Sequence, residues 1–480
     1  MAQSRLSTIR QERIKKANQL RKLGIDPYPH SYEKKHSCEQ ARKKLGKTAK
    51  TAGRIRSIRA HGKITFMDLS DSSGQIQLWF QESKLGKKDY GLLSLFDIGD
   101  FLGAEGQVVK TKAGEITLEV ESFRLLTKAI RPMPEKREGL RDEETRYRKR
   151  YLDLATDPDL RELFRKKAMF WQTIRDFMLK EGFLEVETPI LENVAGGADA
   201  NPFITHHDAL DIDVYLRISM GELWQKRLLV GGFEKTFELG RQFRNEGISF
   251  EHLQDYSQME FYWAYVNYQQ GMELTERLYK EVARKVFGKT KFKIGDFQVD
   301  FAKRWEKIDY VSRIKKELSV DVLKATKKEL QEKLRKLKVE FDKTERKGRL
   351  IDKLWKQIRV KVAGPAFLID HPVEVSPLAK RKEDNPKLVE RFQIILAGSE
   401  MGNGYSELND PADQGERFEE QAEMREEGDK EAQMHDRDFV EALEHGMPPA
   451  CGFGVSERLF SFLTNKSGRE CVLFPLLRPK

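Results

Sequence analysis

The spacing of apolar residues changes twice along the chain and separates three kinds of segment. From residue 51 to residue 126, short runs alternate apolar and polar positions and are divided by glycine-containing turns, as in consecutive β-strands. In the third run, Ile76 and Leu78 share one face and Trp79 lies on the other. Trp79, with Phe66 on the neighbouring run, suits either the stacking of unpaired bases or a cross-strand surface pair. Five runs in so short a stretch predict a small OB-type β-barrel.

Helical spacing dominates on both sides of this segment. Residues 5–24 carry a thin apolar stripe among many arginines and lysines, which predicts a basic helix that either docks on the protein or contacts RNA phosphates. From residue 161, apolar residues recur every three or four positions until Gly182. The alternating segment 183–191 then predicts a strand that ends at Pro189. Beyond it, strands and helices follow without regular βαβ alternation, which favours an α+β domain with an antiparallel sheet.

These transitions predict four parts of the chain. In order, we expect a helical extension, the barrel, a charged connector and a large α+β domain, in residues 1–50, 51–130, 131–160 and 161–480. Within the large domain, residues 302–360 are basic and helical, and residues 411–445 are acidic and helical. We expect both to be peripheral helical insertions, and no chemistry can be read from their sequences.

Composition narrows the classes of protein that this chain can represent. A chain of 480 residues is too long to fold around a single hydrophobic core, so we expect two or more domains. A net charge of +10 with a pI near 9.1 favours a polyanionic partner such as nucleic acid. The three cysteines lie far apart, so neither a disulfide framework nor a thiolate zinc site is indicated. Because the chain has no secretory apolar segment and no run of membrane-spanning length, we expect a soluble, cytoplasmic protein without a membrane partner.

The richest concentration of candidate chemistry lies in residues 237–265, FELGRQFRNEGISFEHLQDYSQMEFYWAY. Alternating segments there place Arg244, Glu246 and Glu260 so that they can enter one pocket from neighbouring antiparallel strands. Arginine suits a phosphate, and carboxylates suit cationic or metal-bridged groups. The alternative is a surface hairpin with ordinary ion pairs.

Two glycine-containing segments near the C-terminus supply further candidates. The segment GSEMGNGYSELND brings acidic and amide groups to a place where glycines let the backbone approach a ligand. Arg458 follows the segment CGFG at the expected start of a helix, where it suits a terminal phosphate or, alternatively, a surface salt bridge. The GKT tripeptides at 46–48 and 288–290 lack the leading glycine of a P-loop, so that class of nucleotide site is excluded.

Together these segments resemble the class II aminoacyl-tRNA synthetases, and among them the lysyl-tRNA synthetases, over nearly the whole chain. FLEVETPIL resembles class motif 1, the stretch from FRNEGIS to MEFY resembles motif 2, and GFGVSERLF resembles motif 3. Other segments match the family's landmarks in the family's order: PYPHSY, VAGGADANPFITHH, YLRIS, PVEVSPLAK, NGYSELND, LEHGMPP and LFPLLRPK. The HIGH and KMSKS signatures of the unrelated class I enzymes are absent.

The resemblance implies both a fold and a reaction. It implies an OB domain that binds the anticodon, a catalytic domain with an antiparallel sheet flanked by helices, and a homodimer formed through motif 1. The implied reaction is the ATP-dependent adenylation of L-lysine and the transfer of lysyl to the 3′-terminal adenosine of tRNA(Lys), with Mg2+ as cofactor. The rivals are an aspartyl- or asparaginyl-type synthetase of the same architecture, a paralogue that transfers lysyl to a protein, and a catalytically decayed RNA-binding paralogue.

The resemblance also implies roles for individual residues. Arg244 would bridge the lysine carboxylate and the α-phosphate, Arg458 would hold the terminal phosphate, and Glu400 would bind Mg2+. The other implied ATP contacts are Asn245, Glu246, His252 and Tyr256. The implied lysine contacts are Gly197, Glu222, Glu260, Tyr262, Asn403, Tyr405 and Glu407. The implied anticodon contacts are Phe66 and Gln77.

The sequence departs from the family's pattern at several positions. Gln393 stands where the family commonly has a second metal-binding glutamate, and a neutral amide oxygen is a weaker ligand. Motif 2 contains HLQDYSQ where HNPEFT-like sequences are usual, and Ser122 stands where an anticodon-reading glutamate is common. We therefore expect an altered number or affinity of Mg2+ ions and a rebuilt motif 2 loop.

Overall fold

The computed structural model describes residues 2–134, 140, 142–247, 249, 252–343, 345–428 and 432–479. Parts of the expected connector, of the motif 2 loop and of both expected insertions therefore lie outside the described residues, at 135–139, 141, 248, 250–251, 344 and 429–431. The chain forms two compact units, Met1–Thr156 and Asp157–Lys480. Within the described part, no helix combines the length and the apolarity needed to cross a membrane.

The helices of the first unit are α1 (Ala2–Lys22), α2 (Cys38–Arg42), α3 (Glu82–Gly91), α4 (Glu143–Arg148) and α5 (Arg150–Thr156). Its strands are β1 (Thr48–His61), β2 (Ile64–Ser70), β3 (Gln75–Gln81), β4 (Phe101–Lys110) and β5 (Ile116–Thr127). The helices of the second unit are α6 (Pro158–Lys180), α7 (Glu222–Val230), α8 (Tyr268–Phe287), α9 (Tyr310–Leu318), α10 (Lys327–Lys336), α11 (Lys347–Arg359), α12 (Pro411–Glu426), α13 (Arg437–Glu444) and α14 (Arg458–Thr464). Its strands are β6 (Leu184–Glu185), β7 (Leu191–Glu192), β8 (Ile204–His207), β9 (Ile212–Leu216), β10 (Lys235–Phe243), β11 (Asp255–Ala264), β12 (Lys291–Ile294), β13 (Phe297–Asp300), β14 (Glu306–Asp309), β15 (Ala366–Pro372), β16 (Leu388–Leu396), β17 (Ser399–Ser406) and β18 (Ala450–Ser456).

The first unit is built around a closed five-stranded barrel in the order β1-β2-β3-β5-β4. Its strands alternate buried and half-buried positions, and the fully buried Met67, Leu78 and Phe80 belong to the interior. The pair β3 and β5 is parallel, whereas the other neighbours are antiparallel. The prediction of a five-stranded OB-type barrel is confirmed.

The N-terminal helix α1 docks on this barrel. Leu20 is fully buried in the barrel core, and the Arg13 guanidinium donates to the carbonyls of Ala129 and Arg131 at 2.9 and 3.1 Å. Most other basic residues of the helix are exposed. Docking therefore accounts for the apolar stripe that the sequence shows.

The second unit is built on an eight-stranded sheet in the order β14-β15-β16-β17-β18-β11-β10-β6. The six strands from β15 to β10 pair antiparallel, and the α+β prediction is confirmed. The outermost strands, β14 and β6, are parallel to their neighbours. Parallel neighbours need a crossover connection, and helices α9 to α11 supply it between β14 and β15.

The two faces of this sheet differ in what they contact. Phe261 of β11 packs on Phe453 of β18, which in turn meets Tyr279 of α8 in the core. The alternate residues Glu260 and Tyr262 point to the opposite face, where they line a cavity. The two-residue period of β11 therefore separates the core from the candidate site.

The expected strand from residue 183 to Pro189 is wrong in its extent. Only β6 and β7 form within or beside that segment, and β6 pairs with β10 whereas β7 pairs with β9. Pro189 lies between them and has no N–H to donate to a ladder, so the chain leaves one sheet and enters another there.

Candidate active site

A cavity of about 990 Å³ lies beside β11, β17 and β18 in the second unit. Most second-unit residues singled out from the sequence line it: Gly197, Glu222, Arg244, Glu246, His252, Tyr256, Glu260, Tyr262, Gln393, Glu400, Asn403, Tyr405, Glu407 and Arg458. Asn245 is not among the lining residues. Its backbone N–H donates to the Asn201 carbonyl at 2.7 Å, and the Asn201 side chain donates back at 3.2 Å, so two loops are held together.

Arg244 lies just beyond β10, where the β10–β11 hairpin opens. Its backbone N–H donates to the Gln254 carbonyl at 2.8 Å and closes the hairpin across the motif 2 loop. Its Nε donates to the Ile218 carbonyl at 3.3 Å, and its guanidinium carbon lies 5.8 Å from the centre of the Tyr256 ring. No residue in the described ranges accepts from its two terminal nitrogens, so both can bind an anion.

Three glutamates make one part of the cavity acidic. Glu222, Glu260 and Glu407 are each at most 6% exposed. Burial, reinforced by the Glu222 carboxylate, raises the pKa of Glu260 to about 7. Burial raises the pKa of Glu407 to about 8, against the opposing effect of Lys226. A cationic ligand would favour the ionised forms of these carboxylates.

The three carboxylates differ in how the protein engages them. Glu260 Oε1 accepts from the Met220 N–H at 3.1 Å and from Gln258 at 2.5 Å, and its Oε2 accepts from the Tyr262 hydroxyl at 3.1 Å. Glu407 Oε1, in contrast, is buried and has no hydrogen-bond partner among the described residues. An open, buried carboxylate oxygen is the feature that an ammonium ligand would satisfy.

Lys226 lies inside this acidic group, although the sequence reasoning missed it. Its Nζ lies 2.8 Å from Glu222 Oε1 and 2.6 Å from Glu407 Oε2. The available signal was its spacing, because Lys226 follows Glu222 by four residues on α7 and such pairs face each other.

Arg458 and Glu400 form a second charged region of the cavity. Arg458, the first residue of α14, donates to Ser399 Oγ, and burial lowers the pKa of its guanidinium to about 10. Glu400 Oε2 accepts from Gln393 Nε2 at 3.2 Å, and Glu400 Oε1 lies 3.6 Å from the Arg359 guanidinium.

The Gln393 amide is oriented by its two neighbours. Its nitrogen donates to Glu400, and its oxygen lies 3.1 Å from His371 Nε2, which must then carry the proton. The amide nitrogen, not the oxygen, therefore faces Glu400. Gln393 does not offer a cation a ligand beside Glu400 in this arrangement.

The insertion at residues 302–360 contributes side chains to the cavity wall, although no chemistry could be read from its sequence. Trp355 of α11 packs on Tyr310 with ring centres 5.3 Å apart, and the same helix brings Lys347 and Lys356 to the cavity wall. The second insertion contributes Glu420, Gln421, Met424 and Gln433. Helical spacing indicated that these segments are amphipathic, but it could not show which of their residues reach the site.

In the first unit, Phe66 and Gln77 lie on neighbouring strands. Phe66 stacks with Trp79, with ring centres 6.0 Å apart and planes inclined by 14°. Gln77 Oε1 accepts from the Thr117 hydroxyl at 2.8 Å. The half-buried pair offers an aromatic surface beside an amide, and Ser122 is exposed on β5.

Comparison with known proteins agrees with this architecture. The family described as tRNA synthetases class II (D, K and N) matches residues 142–478, and the OB-fold nucleic acid binding domain matches residues 49–126. A lysine–tRNA ligase of Thermosipho africanus is 45% identical over 99% of this chain and 97% of its own length. Lysine–tRNA ligases of Thermotoga maritima and Carboxydothermus hydrogenoformans are each 44% identical, over 99% and 100% of this chain and 97% and 100% of their own lengths.

The order of the two units, the cavity that the expected site residues line and the full-length similarity lead to one assignment. The chain belongs to the class II aminoacyl-tRNA synthetases of the aspartate, lysine and asparagine group, with an N-terminal OB-fold domain.

Proposed function

We propose that this protein is a lysine–tRNA ligase, which adenylates L-lysine with ATP and transfers lysyl to the 3′ end of tRNA(Lys). The observation that carries the proposal is a single cavity that holds three buried carboxylates together with Arg244. Of the three amino acids that this family serves, only lysine has a cationic side chain. The full-length relatives that bear the name lysine–tRNA ligase support the same choice.

The first step joins lysine to the nucleotide. A carboxylate oxygen of lysine attacks the α-phosphorus of ATP, and pyrophosphate leaves as the bond to its oxygen breaks. Arg244 would bind the attacking carboxylate and the α-phosphate together, which positions them and neutralises the developing charge. Contacts of this kind are worth about 3–4 kcal/mol of barrier. In the second step, a ribose hydroxyl of the terminal adenosine attacks the lysyl carbonyl, and AMP leaves.

The remaining nucleotide contacts follow from the cavity wall. We assign Tyr256 to stacking on adenine, Glu246 to the side of the nucleotide and His252 to the triphosphate. Arg458 would hold the terminal phosphate, since even with its lowered pKa it is charged at neutral pH. Asn245 is assigned a positioning role through its pairing with the neighbouring loop.

The acidic pocket would receive both ammonium groups of lysine. We assign the side-chain ammonium to Glu407 Oε1 and the Tyr262 hydroxyl, because Glu260 is already engaged on both oxygens. Glu222 would receive the α-ammonium beside Gly197. A Cβ at Gly197 would lie 2.8 Å from the Glu222 Cβ, so only glycine fits there. Asn403 and Tyr405 complete the lining.

Glu400 would hold Mg2+, which lowers the charge of the ATP phosphates when it is bound. The fit is supported by Glu400 Oε1, which is buried and accepts no hydrogen bond in the described ranges. Its one ion-pair neighbour there is the Arg359 guanidinium at 3.6 Å, which the metal would have to displace or share. No group of three or more His, Cys, Asp or Glu side chains in those ranges is arranged for a metal. Because Gln393 presents nitrogen, we propose that Glu400 is the single protein carboxylate for the ion.

Two partners follow from the surfaces of the protein. Phe66 and Trp79 would stack on anticodon bases and Gln77 would read a base edge, as the match to an OB-fold nucleic acid binding domain suggests. A second copy of the chain would cover the motif 1 region, where Ile190, Leu191 and other large apolar side chains are exposed. A tRNA ligase acts where translation takes place, so we assign the protein to the cytoplasm.

The rivals make different predictions about amino-acid use. An aspartyl- or asparaginyl-type enzyme needs cationic or neutral groups around the side chain, whereas this pocket is acidic. A decayed paralogue would bind tRNA without catalysis. ATP–pyrophosphate exchange with each amino acid in turn decides among them: lysine alone should support exchange. Exchange with aspartate or asparagine, or with none, would contradict the proposal.

A further inference from the structure

We propose that Lys226 is a positioning residue for amino-acid selection. Its ammonium neutralises part of the negative charge of the acidic pocket, so that the remaining charge equals in magnitude that of the two ammonium groups of lysine. The inference rests on the proposed function and concerns a residue that the sequence motifs do not mark.

Lys226 is sealed inside the protein. Its side chain has no exposed surface, and its Nζ lies between Glu222 Oε1 and Glu407 Oε2. The rings of Tyr405 and Phe439 lie 5.5 and 5.9 Å from the ammonium. A charge withdrawn from water needs bonded counter-charges, so Lys226 and the two glutamates hold one another in place.

Formal charge shows what Lys226 does for ligand selection. When ionised, Glu222, Glu260 and Glu407 together carry a charge of −3, and the ammonium of Lys226 brings the net charge of the pocket to −2. L-lysine brings two ammonium groups to this pocket, because its carboxylate is assigned to Arg244. Pocket and ligand then neutralise each other. Without Lys226, Glu222 and Glu407 would lose their shared counter-charge, and one more carboxyl would hold a proton in the empty pocket. That carboxyl must ionise before it can receive an ammonium group of lysine.

The other ionisable groups that face the pocket do not alter this balance. Burial raises the pKa values of Tyr262 and Tyr405 well above their usual value, so both phenols are neutral. Burial likewise raises the pKa of the nearby Cys451 thiol. The balance therefore depends on the glutamates and Lys226.

Lys226 also determines which oxygens are available to a ligand. It engages Oε1 of Glu222 and Oε2 of Glu407, and it leaves Glu407 Oε1 without a partner among the described residues. Removal of the ammonium would let the Glu407 carboxylate rotate, because Lys226 is its ion-pair partner among the described residues. Glu222 Oε1 would still accept a hydrogen bond from the Tyr405 hydroxyl.

The test compares lysine binding by the full-length protein and by Lys226→Met, which has an unbranched side chain one heavy atom shorter and no charge. Titration calorimetry at pH 7.5 in two buffers of different ionisation enthalpy gives both Kd and the number of protons released. We expect the variant to bind lysine roughly tenfold more weakly and to release about one proton more, because a protonated carboxyl must ionise. Unchanged values of both would overturn the proposal.

Two control variants separate charge from packing. Lys226→Arg keeps the charge and should release the wild-type number of protons, whatever its affinity. Lys235→Met removes a partly buried lysine that lies over the Trp263 ring outside the cavity, and it should change neither quantity. Weaker binding by both Lys226 variants without any change in proton release would assign Lys226 a packing role and contradict the proposal.

The experiment also separates a folding defect from a binding defect, and failure of the proposed function from failure of the proposed role of Lys226. If thermal unfolding shows that the Met variant is not folded, Lys226→Gln replaces it as a neutral but polar variant with the same expected result. Wild-type protein that binds no lysine would contradict the proposed function itself. Wild-type binding with an unaltered neutral variant would contradict only the role of Lys226.

Discussion

Lysine binding should weaken sharply as the pH falls from 8 to 6.5. Before lysine binds, burial raises the pKa of Glu407 to about 8 and that of Glu260 to about 7. A bound ammonium favours the ionised carboxylates, so binding releases protons. Affinity is therefore present above these pKa values and is lost as the pH falls through them.

The size of the effect follows from the ionised fractions. Between pH 8 and pH 6.5, the ionised fraction of Glu407 falls from about one half to about 3%, which weakens binding about 16-fold. Over the same range, the ionised fraction of Glu260 falls from about 90% to about 24%, which adds about fourfold. If both carboxylates must ionise, the combined loss is about 60-fold, or about 2.4 kcal/mol.

Titration calorimetry of lysine into the full-length protein measures this dependence directly. Glu260→Gln should remove the fourfold contribution and retain the larger one, which separates the two carboxylates. A lysine Kd that changes by less than about threefold between the two pH values would refute the assigned ionisation of the pocket.

Four further predictions concern the other parts of the protein. Arg244→Ala should slow lysine-dependent ATP–pyrophosphate exchange by roughly 10²–10³-fold while filter binding of tRNA persists, and near-normal exchange would contradict its role. Gln393→Glu should tighten Mn2+ binding in the presence of an ATP analogue, measured by electron paramagnetic resonance, because a carboxylate then faces Glu400; unchanged binding would oppose the single-carboxylate site. Phe66→Ala should raise the KM for tRNA(Lys) in aminoacylation by roughly 5–150-fold through lost stacking, and an unaltered KM would exclude it from the anticodon contact. Ile190→Asp should convert a dimer into a monomer in sedimentation analysis, and a monomeric wild type would contradict the proposed interface.

The sequence predicted those features that depend on local alternation. The barrel could be predicted because apolar residues such as Ile76 and Leu78 alternate with polar ones along each strand. Strands that bury only one face can pair in few registers. The same rule placed Glu260 on the cavity side of β11, and Tyr262, two residues further on, lines the cavity as well. It failed for residues 183–191, where Pro189 divides an alternating segment between two sheets.

Features that depend on distant contacts could not be predicted in this way. Lys226 reads as an ordinary helix-surface lysine until α7 is seen to pack against Glu407, which is remote in sequence. One face of α11, from Lys347 to Lys356, reaches the cavity because Trp355 anchors that helix in a separate apolar cluster. The orientation of the Gln393 amide is set by His371 on another strand, and no local pattern shows it.

The most direct measurement is ATP–pyrophosphate exchange by the purified full-length protein with Mg2+, tested separately with lysine, aspartate and asparagine. Because the cavity contains three buried glutamates beside Arg244, we expect exchange with lysine and with neither of the other two amino acids. Exchange that depends on aspartate or asparagine, or no exchange with any of the three, would contradict the assignment of this pocket to lysine.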